Sequence, residues 1–456
     1  MGKKINIENK ISQHLLVLSL IISVVFSLAF PIFSGHDEQY HFDATSKLVG
    51  IKVDRKQIDS SPYGSGETFN ARNNLGIKGY VDKYYLTKLD KVEKVNDERA
   101  ENATLFDLRQ YIVPAVGLFV GYHIYPSLGV METFARLFNA IFYSIVMYVV
   151  IKKMRHGKLI MFAIALSPTM IIQSVGASYD NINFLVTAVL LGFGIDLIFS
   201  KEKISKKRVI QLIVILMTAL FFGKRNIYVT LLFAIPILMS MFIETYNLKI
   251  FYLKFTKRKE LLIILLTAML SIVILFRDKP FIIHLRQIFS TLTGNFISIG
   301  TSIRRGDYLA TGMLVGTEEW DYLPVWMYGL WMILLFMLIF SESKKGISNY
   351  ISVFSVSLFF MNLLAMLWLY ANSAADNPEN VLNPNHYIIG PQGRYFTPLM
   401  PVMIFFNELI PISVINTEGD HKFIARLTYG FVGFSALFLL FKTIQSFWWL
   451  GIQGGI

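Results

Sequence analysis

Apolar positions in this chain fall into long continuous runs. Eleven runs are mostly apolar and about long enough, allowing for tilt, to cross a hydrocarbon layer about 30 Å thick. They are Ile11–Ile32, Phe134–Ile151, Leu159–Val175, Ile182–Phe199, Val209–Phe222, Ile227–Ile243, Leu261–Phe276, Leu323–Phe340, Ile347–Tyr370, Phe396–Ile415 and Phe423–Trp449. Because these runs are apolar on every face, they predict helices surrounded by lipid and other helices rather than alternating barrel strands. The expected fold class is an all-α polytopic membrane protein with about eleven transmembrane helices.

The composition supports this prediction. The chain has 456 residues, of which 54% are hydrophobic and 16% charged, and its mean hydropathy is +0.51. A soluble domain holds about 25% charged residues, so an ordinary cytosolic enzyme is excluded. The first run is longer than a signal-peptide core and lacks an A-x-A cleavage pattern, which indicates a retained helix. Cysteine is absent, which excludes disulfides, thiolate metal sites and a cysteine nucleophile.

The positions of Lys and Arg predict the orientation of the chain. With the amino terminus inside, six short cytoplasmic segments carry 21 of the 43 basic residues, which is the bias of the positive-inside rule. The net charge of +12 is thus distributed beside anionic membrane lipid, and nucleic acid is not expected as a partner. The sequence predicts a multi-pass protein of the cytoplasmic membrane.

One apolar stretch, Tyr111–Leu128, does not fit as a span, because counting it would place every later basic loop outside. It is interpreted as a helix lying at, or dipping into, the outer interface. It falls within an outer first loop at residues 34–130, and residues 1–456 are otherwise predicted to form one integral membrane domain. No P-loop or GxGxxG motif is present. Any chemistry must therefore be built from loops and helix ends on the outer face.

A carboxylate pair follows the first span in the segment GHDEQYH. Asp37 and Glu38 are adjacent where a helix leaves the bilayer, and ionisable groups at such depth are usually functional or paired. In a helix, Asp37 and His41 share one face. The alternative is that the two carboxylates are interfacial charges that end the span. No HExxH spacing is present, so no metal-ligating residue is assigned.

A second polar group, SVGASYDNIN, lies where one helix reaches the outside and the next returns. Ser178 and Asp180 are expected to cap the returning helix, since their side chains accept hydrogen bonds from free backbone N–H groups. The positive end of that helix would face the same outer space as Asp37. Ser178 and Asp180 are therefore candidate supporting residues.

Cations on the outer face are more informative, because short outer turns usually avoid Lys and Arg. Lys224 and Arg225 lie between two spans, and Arg394 lies at the start of the tenth span. A cation beside lipid requires an anion, and a lipid phosphate or pyrophosphate is at hand; Arg binds it bidentately and Lys as a point charge. Snorkelling to headgroups, or an ion pair with Asp180 or Asp37, is the alternative.

Four segments together carry a family resemblance: GHDEQYH after the first span, SYD, KRNIYVTLLFAIP, and GPQGRYFTPLMP near the end. The chain resembles the bacterial membrane-protein family labelled domain of unknown function 2142. That family is thought to belong with the GT-C glycosyltransferases, which use polyprenyl-phosphate sugars as donors. The resemblance covers about residues 15–412, and QGRYFTP together with DE-x-x-H is its specific part.

The resemblance implies a GT-C-like fold, with interfacial helices in the first outer loop and a catalytic acid after the first span. Carried over by motif position, Asp37 is the expected base, Glu38 its neighbour or a metal-contacting carboxylate, and His41 a supporting residue. Whether a divalent metal assists is left open as the only cofactor question. The implied partners are a polyprenyl-phosphate sugar donor, a cell-envelope glycan or lipid acceptor, and membrane lipids.

The resemblance also implies a lipid-phosphate clamp. Lys224 and Arg394 are its expected members, with the adjacent Arg225 and Tyr395 also binding phosphate and Gln392 supporting them. Attack by an acceptor on the face opposite the departing phosphate predicts inversion at the anomeric carbon. A flippase or polymerase of lipid-linked saccharides, a secondary transporter and a non-catalytic membrane subunit are the alternatives.

Overall fold

The computed structural model describes residues 7–35, 37–58, 76–248, 279–296, 308–316, 323–342, 346–373, 388, 391–409 and 418–449. Within these ranges the chain is helical, and isolated bridges are the only β-pairing. The α-helices are α1 (Ile7–Ala29), α2 (Glu38–Leu48), α3 (Glu98–Asn102), α4 (Leu105–Leu108), α5 (Ile112–Ile124), α6 (Leu128–Lys153), α7 (Lys158–Ala165), α8 (Pro168–Val175), α9 (Asp180–Phe199), α10 (Lys206–Phe222), α11 (Ala234–Tyr246), α12 (Lys279–Phe296), α13 (Tyr308–Thr311), α14 (Val325–Glu342), α15 (Asn349–Ser373), α16 (Phe406–Leu409) and α17 (Glu418–Thr443).

Short 3₁₀ and π segments interrupt or extend these helices. The 3₁₀ segments are Arg55–Gln57, Arg109–Tyr111, Arg225–Phe233, Gly393–Tyr395 and Thr397–Phe405, and the π segments are Asp82–Leu86 and Ile444–Trp449. In Thr397–Phe405, Pro401 lies inside the segment and lacks the backbone N–H that an α-helix would use there, whereas Pro398 lies in the first turn, where no such donor is needed. The chain therefore continues there in the tighter 3₁₀ winding, which rises about 2.0 Å per residue.

Several helices meet the length and apolarity needed to cross a membrane. Six do so within the described residues: Lys10–Ala29, Leu128–Lys153, Asp180–Phe199, Tyr228–Tyr246, Asn349–Ala371 and Gly419–Thr443. A seventh candidate is the pair α7 and α8, which is bent by 62°. The bend occurs where Ser167 caps α8 and Pro168 occupies its first turn, because the residue before a proline disfavours the helical conformation. The chain is a membrane protein, and its described residues contain six or seven candidate spans.

The sequence predicted eleven spans, and the described residues support fewer. The run Leu261–Phe276 lies outside the described residues. The run Val209–Phe222 falls on α10, which has 17 residues, and the apolar part of α14 is Trp326–Glu342. The tenth run begins as the 3₁₀ segment described above. A hydropathy average identifies these segments as apolar, but it does not show where an α-helix changes to a 3₁₀ helix or where it ends.

Between α1 and α6 the chain forms a lobe, which we define as the described residues 30–35, 37–58 and 76–127. Its last helix, α5, runs antiparallel along the first turns of α6, with Gly117 against Phe134 and Gly121 against Met131. A Cβ at Gly117 would lie 2.3 Å from the carbonyl oxygen of Phe134, so only glycine permits this approach. With 13 residues, α5 spans about 20 Å. The interfacial segment predicted at 111–128 is thus a short helix, and its exposed apolar face is formed by Ile112, Val116 and Phe119.

The two ends of the bundle differ in charge. At one end, which we call the site end, α1, α8 and α10 finish and α9 begins. At the opposite end, which we call the basic end, Arg155 bridges Asp196 at 2.8 Å and Glu202 at 2.9 Å. The basic end also holds the predicted cytoplasmic segments at 152–158 and 201–208.

Candidate functional site

The turn between α1 and α2 is held from several sides. The guanidinium of Arg136, on α6, donates to the carbonyl oxygens of Phe30 at 2.9 Å and Pro31 at 3.0 Å. The backbone N–H of Ile32 donates to the hydroxyl of Tyr80 at 2.7 Å. These contacts satisfy the backbone groups that a helix end leaves without intrahelical partners. They fix the chain just before the predicted carboxylate pair.

Asp37 lies at the end of this turn in an unusual backbone conformation. Its φ is 53° and its ψ is 22°, and Phe33 also has a positive φ, of 60°. A left-handed conformation costs a non-glycine residue roughly 1–2 kcal/mol, and such residues cluster at functional sites. The side chain of Asp37 is about one-third exposed and lies 3.8 Å from Arg99. The surrounding contacts thus hold Asp37 at the lobe surface at a cost in backbone energy.

His41 belongs to a group of packed aromatic rings behind Asp37. It is buried, and its Nδ1 lies 2.7 Å from the hydroxyl of Tyr111. The ring of Tyr179 packs edge-on against both, with centroids at 5.1 and 5.8 Å. Burial is the main cause that raises the pKa of Tyr111 and of Tyr179, so both stay neutral phenols. His41 therefore supports this aromatic wall and connects the lobe to the start of α9.

Lys224 lies on the other side of Tyr179. Its backbone N–H donates to the side-chain oxygen of Asn183 at 2.7 Å, which fixes the turn after α10. Its ammonium group donates to the hydroxyl of Tyr179 and lies 4.1 Å from the centroid of that ring. The second aromatic contact, with Tyr395, is at 5.8 Å. Lys224 is thus a partly buried cation held between two phenol rings.

Three charged side chains act on Lys224. Burial lowers the pKa of Lys224, which is the largest effect; Asp180 raises it, Arg394 lowers it and Asp37 raises it. These interactions place Asp37, Lys224 and Arg394 in one electrostatic neighbourhood. The three predicted ionisable residues, which are far apart along the chain, are therefore brought together at the site end.

Arg394 is held on Asp180, the first residue of α9. Its Nε lies 3.0 Å from Oδ2 of Asp180, and each side chain is about one-tenth exposed. The backbone beneath Arg394 is fixed by Gly393, where a Cβ would lie 2.3 Å from the carbonyl oxygen of Leu309. The predicted alternative of an ion pair between Arg394 and Asp180 is what the structure contains. Asp180 pairs with Arg394 rather than capping α9, whose start has no side-chain cap.

A small cleft opens beside this ion pair. It encloses about 280 Å³, a volume that includes some open solvent, between α8, α9 and the 3₁₀ segments near 394. The residues lining it are Met170, Gln173, Asp180, Asn183, Phe184, Arg394, Tyr395 and Pro398. Asn183 is buried, and its amide nitrogen has no hydrogen-bond partner within the described residues. The cleft therefore combines a bound arginine, an amide donor and apolar walls.

The remaining predicted site residues lie elsewhere or play other parts. Glu38 turns away from Asp37 and bonds Arg136, with Nε to Oε1 at 2.9 Å. Ser178 accepts from the backbone N–H of Asp180 at 3.3 Å, and Gln392 is buried next to Gly393. Arg225 begins a 3₁₀ segment, but its side chain lies outside the described residues.

The described residues do not offer a metal site. Within those ranges, no three His, Asp or Glu side chains lie close enough to hold a metal ion. Glu38, the carboxylate expected to contact a metal, is instead bonded to a guanidinium. No step below is therefore assigned to a metal.

Several residues of the site were missed by the sequence analysis. Tyr179 and Asn183 lie close to Asp180 in SYDNIN but were not singled out there, although they are polar residues at the same helix start. Tyr40 and Arg99, which stack at 4.8 Å beside Asp37, lie on α2 and α3. Tyr40 falls within GHDEQYH, whereas Arg99 lies in no recognisable motif.

Comparisons with known proteins give one match. The model of a family described as "Predicted membrane protein (DUF2142)" matches residues 20–403. No curated protein and no solved structure matches the chain.

Proposed function

The chain belongs to the DUF2142 family of predicted membrane proteins, and we propose that it is a membrane glycosyltransferase. Its donor is a sugar carried on a polyprenyl phosphate, and its acceptor is a hydroxyl of a cell-envelope glycan or lipid. One observation carries the proposal: Lys224 bonds the hydroxyl of Tyr179 and Arg394 bonds the carboxylate of the adjacent Asp180. The ring of Tyr179 also packs against His41, on the helix that begins directly after Asp37. A carboxylate and two cations are the groups that sugar transfer from a lipid phosphate requires.

The two cations suit the donor's phosphate. The ion pair with Asp180 fixes the position of the Arg394 guanidinium, and a guanidinium presents five N–H donors in a rigid fork that matches phosphate oxygens. Lys224 adds a point charge at the same place, held by Tyr179. Donors positioned before the reaction stabilise charge as it develops, at no cost in reorganisation.

In the proposed reaction, the acceptor oxygen attacks the anomeric carbon while the bond from that carbon to the phosphate oxygen breaks. The bonding electron pair leaves with the polyprenyl phosphate, whose extra negative charge faces Lys224 and Arg394. Asp37 accepts the proton of the attacking hydroxyl as general base. A single displacement of this kind inverts the anomeric centre. Glu38 takes no part in this step, because it is bonded to Arg136.

The proposed orientation places the site end outside the cell and the amino terminus in the cytosol. The support is the clustering of Lys and Arg in short segments at the basic end, as the positive-inside rule requires of a cytoplasmic face. The helix α5 would then lie in the outer leaflet, with its exposed face of Ile112, Val116 and Phe119 against lipid. The donor's lipid tail would enter the site from the same leaflet.

The test is complementation of a strain that lacks the gene. Wild type and the variants Asp37→Asn and Arg394→Gln are expressed, and the sugar composition of the cell-envelope glycan is compared with the pool of polyprenyl-phosphate sugar. We expect both variants to leave the glycan without its sugar and the donor pool raised. The control is Glu98→Gln, which removes an exposed carboxylate of the same lobe and should restore the glycan fully.

Two results would contradict the proposal. Restoration of the glycan by Asp37→Asn, with protein levels equal to wild type, would remove Asp37 from the role of base. Transbilayer movement of a fluorescent lipid-linked saccharide in proteoliposomes, without formation of a glycosidic bond, would replace the transferase by a flippase.

A further inference from the structure

A second group of ionisable side chains is buried where the start of α2 meets α6. It consists of Glu38, Glu132 and Arg136, whose side chains are 5%, 0% and 2% exposed. Two carboxyl groups thus share one guanidinium in an environment closed to water. The proposed reaction does not use any of the three.

The guanidinium is committed to Glu38. Arg136 approaches Oε1 of Glu38 through both Nε and Nη2, while its Nε lies 3.4 Å from Oε1 of Glu132. Neither carboxyl oxygen of Glu132 receives a hydrogen bond from a donor in the described residues. Both carboxyl groups instead approach the same nitrogen, because Nε of Arg136 lies 2.9 Å from Glu38 and 3.4 Å from Glu132. A buried, ionised carboxylate without a donor would be strongly disfavoured.

Among the residues that the structure describes, the groups that face this cluster do not supply a second cation. The lobe contributes the phenols of Tyr80 and Tyr85, both near Arg136, and the hydroxyl of Tyr85 lies 3.1 Å from that of Thr133. The end of α1 contributes the carbonyl oxygens of residues 30 and 31. With both carboxyls ionised, the cluster would carry one uncompensated negative charge, and the penalty for one such buried ion is several kcal/mol.

We infer that Glu132 and Glu38 bind one proton between them: Glu132 is a carboxylic acid whose O–H donates to the carboxylate of Glu38. This arrangement gives the protonated oxygen of Glu132 an acceptor and leaves Arg136 and Glu38 as a balanced pair. The proton is thus bound next to the contacts by which Arg136 and Glu38 hold the turn before Asp37. The inference does not depend on the glycosyltransferase proposal, because it concerns groups that touch no substrate.

The proton has a structural consequence. Glu38 also accepts from the backbone N–H of Gly35 at 2.9 Å, so it connects the shared proton to the turn that carries Asp37. Without the proton, Glu132 and Glu38 would be two negatively charged carboxylates next to each other below that turn. Like charges at this separation repel strongly in a dry site.

The test is infrared spectroscopy of the purified full-length protein in lipid nanodiscs at pH 8. Exposed carboxyl groups are ionised there, so a carboxylic-acid C=O stretch reports buried protonated groups. We expect this band in the wild type and in the control Glu98→Gln, and complete loss of it in Glu132→Gln. Glu38→Gln should also abolish it, because Glu132 then ionises against Arg136.

Each outcome decides the inference. Absence of the band from the wild type at pH 8 would overturn it without any variant, and so would a band that survives in folded Glu132→Gln. Should Glu132→Gln fail to fold, the wild type and Glu38→Gln still give the answer. Because the readout is a vibrational band, loss of sugar transfer would leave this result unaffected.

Discussion

Arg394 and Asp180 form an ion pair at 3.0 Å that connects the segment QGRYFTP to the start of α9, with both side chains largely buried. Arginine was expected to be attracted to a lipid phosphate, and the fold already supplies it with a carboxylate. The carboxylate determines where the guanidinium lies before any ligand arrives. A phosphate would therefore meet an arginine whose position is already set.

The first prediction concerns this pair. Removing one partner, by Asp180→Asn or Arg394→Gln, should cost about 2 kcal/mol, because the other charge stays buried without its partner. The double variant should cost much less than the sum of the two, which thermal unfolding in detergent can measure as a coupling energy. The control cycle is Arg155→Gln with Glu202→Gln, an exposed pair whose coupling should stay below about 1 kcal/mol. Additive losses at 180 and 394 would contradict the pairing.

The second prediction concerns the glycine before the arginine. In Gly393→Ala the new Cβ would meet backbone atoms of Leu309, Gly312 and Met313 at 2.3 to 2.6 Å. Backbone cannot move aside as a flexible side chain can, so we expect a lower unfolding temperature and loss of sugar transfer. The matched control is Gly430→Ala in α17, where a Cβ meets nothing within 4 Å. That substitution should stabilise the protein slightly, by about 0.5–1 kcal/mol. An unfolding temperature unchanged by Gly393→Ala would refute the close approach.

The third prediction is a pH dependence of the lobe. Burial raises the pKa of Asp43 to about 6, although Arg55, at 3.0 Å, and the backbone N–H of Asp97 lower it. The folded state then binds a proton more tightly than the unfolded state, whose ordinary value is near 4. This group's stabilising contribution is complete below pH 4 and is lost as the pH rises through 6.

Unfolding of the wild type and of Asp43→Asn should be compared between pH 4 and pH 7. The wild type should lose on the order of 1–3 kcal/mol more than the variant across that window. Parallel pH profiles would show that Asp43 does not titrate in the folded lobe.

The fourth prediction concerns Lys224. Burial lowers its pKa, so its positive charge is lost at a lower alkaline pH than that of an exposed lysine. Donor binding should weaken over that range, which appears as a rise of KM for the polyprenyl-phosphate sugar. In Lys224→Arg the charge persists, and the alkaline rise should move to higher pH while activity near neutral pH is retained. If KM rises at the same alkaline pH in Lys224→Arg as in the wild type, Lys224 does not bind the donor.

Much of the fold could be predicted from hydropathy, because a span requires a long apolar run. The positions at which these helices bend or change to a 3₁₀ helix could not be predicted in this way. The bend at Ser167 and Pro168 and the 3₁₀ winding after Tyr395 depend on prolines inside apolar runs, where a window average does not register them. The site was predictable where charge conflicted with position, as at Lys224 and Arg394.

The partners of those charges were less predictable, because they lie far away along the chain. Arg136 is 98 positions from Glu38, and inside an apolar helix it gave no indication of which residue it would meet. Thr169 donates to the carbonyl oxygen of Gly312 at 3.0 Å and Thr397 to that of Met313 at 2.6 Å. The segment 308–316 lies among buried residues, although it falls outside all eleven predicted apolar runs.

The contact between Gly393 and Leu309 bears on how the protein is made. During synthesis, Asp37 and Lys224 leave the ribosome long before the QGRYFTP segment. Arg394 reaches its final position only when Gly393 packs against the backbone of residues 309–313. A nascent chain that stops short of the tenth apolar run would hold a carboxylate and a lysine but lack the guanidinium. Such a fragment would lack one of the two proposed phosphate-binding cations, so under the proposed function it would bind the donor only after the segment around Arg394 is in place.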